Sequence, residues 1–284
     1  MARALLIGSA SEPEFAAALS ALEEAFEVVR YRDIASALAA QPATADEATQ
    51  RDYEVIVLAQ SRPGEIAAGQ LDRLRRRFPL AGLISLLGSW CEGETRSGKP
   101  HSTAVRVYWH QAADHLRHDL QRRQRGQAAS WSWPATSSVD ERLLCRTETP
   151  IRPKRTVEGE SAEGTIAVFG HERATIELLV DACRASGYDP IWMGPRRASQ
   201  PREVAAAIWD LSCWGESADR ELEQIARVVP AERVVALLSF PRWQDLRSAA
   251  QRGIGEVVSK PFALDALTSA LGRAARSVAA AGAR

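Results

Sequence analysis

In the C-terminal half of the chain, short and largely apolar runs alternate with segments whose apolar residues recur at helical spacing. Runs of four to six such residues are typical of strands covered on both faces of a sheet. Their alternation with helices predicts a parallel α/β sheet with right-handed crossovers. The strands are predicted at residues 166–169, 190–193, 204–209, 234–238 and 256–259, and the helices at 176–183, 222–229, 246–251 and 264–278.

Polar or charged residues stand at the ends of the last three predicted strands. Asp210 follows the third strand, Ser239 the fourth and Lys260 the fifth. Because parallel strands end at one edge of an open sheet, and ligands bind at that edge, we expect the three side chains to converge. A carboxylate nucleophile and a nearby cation are two requirements for phosphorylation of an aspartate, and a divalent metal ion is the third.

This arrangement resembles the receiver domain of bacterial response regulators. The resemblance covers about residues 165–277 and is carried by Asp210, Ser239 and the sequence Lys260-Pro261-Phe262. It implies a flavodoxin-like (βα)5 fold in which Asp210 accepts phosphate, Ser239 senses it and Lys260 contacts it.

The sequence departs from the receiver pattern where receivers carry the acidic pair that holds Mg²⁺. That pair should follow the first predicted strand, but Gly170 and His171 stand there instead. Glu172 is one residue further along and is the remaining candidate to assist Asp210. Because Mg²⁺ requires nearly octahedral oxygen coordination, we expect its affinity for this pocket to be weak or absent.

Two interpretations of this pocket stay open. In the first, Asp210 and Lys260 form a salt bridge that holds the sheet edge, and the protein signals through protein–protein contacts without phosphate or cofactor. In the second, Asp210 is a working phosphoacceptor that uses Mg²⁺. We favour the first, which makes the chain a non-catalytic regulatory protein.

The N-terminal half repeats the plan with weaker signals. Strands are predicted at residues 4–7, 28–31, 53–58, 83–87 and 105–109, and helices at 15–26 and 71–78. The third strand is followed by Ala59, which occupies the phosphoacceptor position of the resembled family and cannot be phosphorylated.

Two degenerate receiver-like domains are therefore predicted, at residues 1–124 and 164–284, joined by a linker at 125–163. The linker is rich in Ser, Thr and Pro, which suits an irregular connection. It also contains Trp131 and Trp133. Two tryptophans are unusual in a free linker, so we expect them to dock against a domain.

A long glycine-rich loop, residues 88–101, follows the fourth strand of the first domain. Loops at this edge of a sheet carry function more often than the framework does, so a small-ligand or enzymatic site is the third interpretation. Its candidate residues are Trp90, Glu92, Glu94, Arg96, Trp109 and His110. The last two are expected at the end of the fifth strand. The loop resembles a segment of uncharacterised proteins of planctomycete-type bacteria, and no activity follows from that resemblance.

Two other patterns in this region are interpreted as incidental. Residues 93–99 fit the GxxxxGK of a phosphate-binding loop, but Pro100 replaces the hydroxyl residue that would bind Mg²⁺. Cys91, His110, His115 and His118 lack the tight spacing of zinc sites, and the last two are assigned to a surface helix.

The charge balance argues against a polyanionic partner. The chain has 36 basic and 36 acidic residues, so no overall field attracts nucleic acid or an anionic membrane. No apolar run approaches the roughly 18–20 residues that cross a bilayer. Four cysteines without a CxxC pair indicate reduced thiols and a cytoplasmic location. The expected partners are a signalling protein and, through the closing helix 264–278, a second copy of the chain.

Overall fold

The computed structural model of the chain describes residues 2–8, 10–40, 53–93, 103–134, 136–137, 164–194, 203–262 and 264–276. The chain divides into two compact units, Met1–Thr149 and Pro150–Arg284, called here the first and the second unit. Within its described residues, each unit contains one five-stranded sheet whose paired strands are all parallel.

The first unit alternates strands and helices along the chain. Its strands are β1 Arg3–Gly8, β2 Glu27–Tyr31, β3 Val55–Gln60, β4 Gly82–Leu87 and β5 Val105–Tyr108. Its helices are α1 Ala16–Ala25, α2 Ile34–Ala39, α3 Ala68–Arg77 and α4 Trp109–Gln124. The strands lie in the order β2-β1-β3-β4-β5.

The second unit follows the same plan. Its strands are β6 Thr165–Phe169, β7 Asp189–Trp192, β8 Val204–Asp210, β9 Val234–Ser239 and β10 Glu256–Lys260. Its helices are α5 Arg173–Ala185, α6 Glu216–Ile225, α7 Trp243–Gln251 and α8 Leu264–Arg276. The strands lie in the order β7-β6-β8-β9-β10.

Both orders, 2-1-3-4-5 within each unit, are those of flavodoxin-like folds. The predicted fold class, two flavodoxin-like (βα)5 units with parallel five-stranded sheets, is therefore confirmed. The predicted domain and linker limits at residues 124/125 and 163/164 stay predictions.

Alternation along the strands produces an apolar core on each face of the second sheet. Val168, Ile208 and Leu237 belong to the core on the face covered by α5 and α8. Ala167 and Trp209, one position away, belong to the core on the face covered by α6 and α7. Successive side chains of a strand point to opposite faces, so the odd or even position of a residue along its strand predicts which helices it contacts.

Three sequence-based expectations about local structure need correction. Helix α6 begins at Glu216, six residues before the predicted start at 222, and ends at Ile225. Val228 and Val229 extend the apolar pattern but lie in the turn before Pro230. Strand β5 ends at Tyr108, so Trp109 and His110 begin helix α4 and do not end the strand.

Helix α2 has no counterpart among the predicted helices. It has six residues, which is too short for an apolar period to appear in the sequence. The Asp33 carboxylate accepts a hydrogen bond from the backbone N–H of Ser36 and caps its start. None of the helices in the described ranges combines the length and the apolar character that crossing a membrane requires.

Candidate functional site

The second unit brings Asp210 and Lys260 into direct contact at the carboxyl edge of its sheet. Asp210 is the last residue of β8 and Lys260 the last of β10, and β9 lies between these strands. Asp210 lies two positions after Ile208 in β8, and Lys260 lies two positions after Val258 in β10. Ile208 and Val258 belong to the same apolar core. The two charged side chains therefore share a face of the sheet.

The long stem of Lys260 allows the contact, since strands two positions apart in a sheet are separated by about 10 Å. The ammonium Nζ of Lys260 donates to Oδ1 of Asp210 at 2.5 Å. The side chains are 26% and 12% exposed, respectively. The pair therefore closes over the end of β9 in a partly dehydrated position, where an ion pair is stronger than on an open surface.

Ser239 lies at the same edge but is exposed. It ends β9 and is the register partner of Lys260 in β10. It lies two positions after Leu237 in β9, so its side chain belongs to the same face of the sheet as those of Asp210 and Lys260. The fold thus brings the three predicted residues to one edge and one face. Their role as a phosphoacceptor-like pocket stays a prediction.

Gly170 follows β6 and packs directly against Asp210. A Cβ atom placed at Gly170 would lie 3.2 Å from the Asp210 Cβ and 3.7 Å from its Oδ2. The first distance is tighter than ordinary carbon contacts, so a larger residue here would displace the Asp210 side chain. Glycine therefore permits the close approach of these strand ends and supplies no ligand of its own.

The two polar residues after Gly170 make contacts elsewhere. The exposed imidazole of His171 lies 3.2 Å from Oε1 of Glu221 on α6, a helix that covers the opposite face from Asp210. The Glu172 carboxylate accepts a hydrogen bond of 3.0 Å from the Thr175 hydroxyl in the first turn of α5. In these contacts, neither His171 nor Glu172 provides a second metal ligand beside Asp210.

Trp209 lies next to Asp210 in sequence but on the other face of the sheet. Its indole N–H donates to Oε2 of Glu221 at 3.0 Å, and its ring meets that of Trp214 edge-on at 6.0 Å. The Arg252 guanidinium lies 5.0 Å from the Trp214 ring centre. Tryptophan fluorescence is therefore an indirect reporter of the Asp210 side.

In the first unit, the described residues at the equivalent ends of β1 and β3 include no side chain that could accept phosphate. Gly8 of β1 pairs in register with Ala59 of β3, and this pair corresponds to Gly170 beside Asp210. The nearby carboxylate is that of Glu14, which is buried and lies with both oxygens 3.2–3.3 Å from the donating Ser89 N–H. Glu14 thus caps the short 3-10 helix Ser89–Cys91 and occupies this part of the edge.

The candidate loop residues of the first unit divide into three groups. Trp90 is largely exposed, and Trp109 is buried. Glu92 and His110 face each other, with Oε1 and Nε2 3.4 Å apart. Glu94 and Arg96 lie outside the described residues, as does Lys99 of the GxxxxGK match.

A buried polar cluster that the sequence analysis missed joins α4 to the chain that follows it. His115 was assigned to a surface helix, but it is buried together with Asp119 and Ser130. The Ser130 hydroxyl and backbone N–H both donate to Oδ2 of Asp119, the latter at 3.0 Å. The His115 Nε2 lies 2.9 Å from the Ser130 hydroxyl and 3.4 Å from the same Oδ2.

This cluster is structural, although its residue types are those of a hydrolytic triad. In such triads the acid and the nucleophile contact opposite nitrogens of the imidazole. Here Ser130 and Asp119 both approach Nε2 of His115. Burial by itself raises the pKa of Asp119, but the hydrogen bond and charge of His115 and the hydrogen bonds of Ser130 together lower it below its usual value.

Trp131 extends this docking, which confirms for this residue the expectation that the linker tryptophans pack against a domain. Its buried ring meets that of Phe26 edge-on, with centroids 6.2 Å apart, and its indole N–H donates to Glu54 at 3.4 Å. A Cβ atom at Gly82 would lie 2.5 Å from the Trp131 carbonyl oxygen. Glycine at the start of β4 is therefore required for the docking.

No protein-family model and no curated protein matches the chain. The solved structures it resembles include the RcsB response regulator of Salmonella typhimurium, with 16% identity over 54% of this chain and 72% of that one (TM-score 0.30). The C-terminus of E. coli RcsC, containing a linker region and a phosphoreceiver domain, is 13% identical over 100% and 96% of the two chains (TM-score 0.32). A probable two-component system response regulator/GGDEF domain protein is 10% identical over 98% and 99% (TM-score 0.31). These proteins belong to the family that the sequence resembles, but at such scores they carry no argument about function.

The Asp210–Lys260 pair should contribute measurably to stability. In a double-mutant cycle of Asp210→Asn and Lys260→Met, we expect a coupling free energy of about 1–2 kcal/mol in urea unfolding, because the pair is partly buried. The exposed pair Arg173–Glu177 on α5 is the matched control, with an expected coupling below about 0.5 kcal/mol. Equal coupling in both pairs would contradict a structural role for the pocket pair.

Substitution of Asp119 should loosen the segment that follows α4. Asp119→Ala removes the buried carboxylate that accepts from two donors of Ser130, and we expect the free energy of unfolding to fall by about 2–4 kcal/mol. Faster hydrogen exchange at residues 129–132 should accompany this loss. Unchanged exchange there would show that the cluster does not hold the segment.

The same variant should change the acid stability of the chain. The pKa of Asp119 is lowered in the folded state, so its ionised form stabilises the fold above the unfolded pKa of about 3.9. This contribution is lost as the pH falls through the folded pKa. Wild type should therefore lose its advantage over Asp119→Ala in acid, when the two are compared by urea unfolding from pH 7 downwards.

Proposed function

We propose that the chain is a non-catalytic regulatory protein of a signalling pathway, whose two receiver-like units act by binding a partner protein. The observation that carries this proposal is the direct ion pair of Asp210 and Lys260 at the edge where a receiver would bind phosphate. A receiver fold is retained there, while the groups needed for the chemistry are incomplete.

The residues around Asp210 do not fit a resident Mg²⁺ ion. Mg²⁺ takes six oxygen ligands and is usually held by one or two carboxylates besides water and phosphate. Gly170 packs against Asp210 without a side-chain ligand atom, and Oδ1 of Asp210 already accepts from Lys260. Phosphoryl transfer depends on metal neutralisation of the developing charge, so this pocket lacks the main source of catalysis.

The first unit also supports the proposal, because it lacks the phosphoacceptor side chain. Ala59 occupies the position that corresponds to Asp210, and alanine offers no nucleophile. The Glu14 carboxylate nearby is buried and accepts from the Ser89 backbone, which leaves it as a cap of local structure. Two units that keep the sheet order and lack the full set of phosphotransfer groups are suited to presenting surfaces to a partner. We place this binding in the cytoplasm. A second copy of the chain is one candidate partner.

Phosphorylation of the intact chain separates this proposal from its rival, in which Asp210 is a working phosphoacceptor. After incubation with Mg²⁺ and acetyl phosphate, we expect intact-protein mass spectrometry to show no phosphoprotein. Wild type and Asp210→Ala should give the same spectrum, because no metal site assists the carboxylate. A Mg²⁺-dependent mass increase in wild type that disappears in Asp210→Ala would establish the phospho-receiver instead.

Partner binding should depend on the pocket edge. When the tagged chain is used to capture proteins from an extract of its own cells, we expect a specific protein whose recovery falls at least about tenfold with Lys260→Met, a loss of about 1.4 kcal/mol. Arg173→Met, which removes an exposed cation on α5, is the matched control and should leave recovery unchanged. Equal recovery with all three chains would argue against this edge as the binding surface.

A further inference from the structure

Two buried polar side chains of the first unit face each other without a hydrogen bond. The His110 side chain is 5% exposed and that of Glu92 19%. Both ring nitrogens of His110 and Oε1 of Glu92 are fully buried and have no hydrogen-bond partner among the described residues. Leaving a buried polar atom unsatisfied costs about 1–3 kcal/mol, and a bound ion or water is one way to satisfy three such atoms in one place.

Helix α4 provides an internal comparison. His115, five residues further along the same helix, is equally buried, and the protein itself supplies Ser130 and Asp119 to its Nε2. Glu92 lies 3.4 Å from Nε2 of His110, but among the described residues neither ring nitrogen of His110 has a hydrogen-bond partner like Ser130. The fold is therefore able to satisfy a buried histidine of this helix, and at His110 it does not.

We propose that Glu92 and His110 bind a divalent transition-metal ion of the zinc type. Their Nε2 and Oε1 atoms are 3.4 Å apart, which is longer than a good N–H···O hydrogen bond of about 2.9 Å. In a tetrahedral site two ligand atoms lie about 1.6 times the bond length apart, so Zn–N and Zn–O bonds of about 2.0–2.2 Å place them about 3.3–3.5 Å from each other. An ion between the two side chains matches the observed spacing.

The ligand types and their surroundings agree with this assignment. Imidazole nitrogen together with carboxylate oxygen suits Zn²⁺, Co²⁺ and Ni²⁺, whereas Mg²⁺ prefers oxygen alone. The ring of Tyr108 stacks on His110 with 7° between the planes, and Trp109 meets it edge-on at 5.4 Å. These rings fix the orientation of the imidazole before any ion binds.

The described residues supply two protein ligands for the proposed ion. Among the described residues, no three His, Cys, Asp or Glu side chains lie close enough together to hold an ion. Cys91, beside Glu92 in sequence, directs its thiol to the Gln60 carbonyl oxygen at 3.5 Å. Water would therefore complete the coordination. The site lies in the first unit and is independent of the proposed function of the Asp210 edge.

Calorimetric titration of the chelator-treated full chain with Zn²⁺ tests the proposal. We expect saturable 1:1 binding that Mg²⁺ does not reproduce and that weakens as the pH falls, because both ligands must be deprotonated. His110→Gln and Glu92→Gln should each weaken binding at least about tenfold, since even outer-shell changes cost 10–100-fold at metal sites. His118→Gln, on the same helix, is the control and should bind as wild type does.

Three outcomes would overturn the assignment. They are the absence of saturable Zn²⁺ binding, binding that survives both ligand substitutions, and a loss in His118→Gln as large as that in His110→Gln. Glu92→Gln is nearly isosteric, so it decides the question if His110→Gln fails to fold. Far-UV circular dichroism and the melting temperature of each variant establish that folded proteins are being compared.

Discussion

The contact between Asp210 and Lys260 is the interaction on which the carboxyl edge of the second unit depends. It joins strands β8 and β10 across the end of β9 through a single charge pair. One ammonium balances one carboxylate, so this edge needs no metal ion for electrical neutrality. A phosphoryl group at this edge would have to compete with Asp210 for the Lys260 ammonium.

In each unit a carboxylate at the edge of the sheet is bonded to another group of the protein, but the two carboxylates come from different positions. In the second, a lysine two strands away satisfies the acid at the end of β8. In the first, the corresponding position is Ala59, and the buried carboxylate of Glu14 accepts from the Ser89 backbone N–H. In both units the strand order is retained while the groups at the ends of the strands bond within the protein. This shared arrangement is the reason why we propose a role in recognition for the chain.

The sequence predicts those parts of the structure that depend on local pattern. Apolar runs and their terminal polar residues are enough to place Asp210 and Lys260 at one edge, because parallel strands and a two-residue side-chain period leave little freedom. Other features depend on contacts between distant segments. The burial of His115 requires Ser130 to return onto α4, and that segment has no periodicity to reveal it. The start of α4 at Trp109 was missed because one apolar run continues through the end of β5 into the helix.

The two buried histidines of α4 show why burial is not a sufficient guide to function. Both imidazoles are removed from water, and a sequence pattern cannot distinguish them. The difference lies in the atoms that face each ring. Nε2 of His115 lies 2.9 Å from the Ser130 hydroxyl. Among the described residues, neither ring nitrogen of His110 has a hydrogen-bond partner. A satisfied polar cluster stabilises the fold, while a buried polar atom without a partner destabilises it. By this criterion the Asp119 cluster belongs to the architecture of the first unit, and the Glu92–His110 pair is the place where we propose a bound ion.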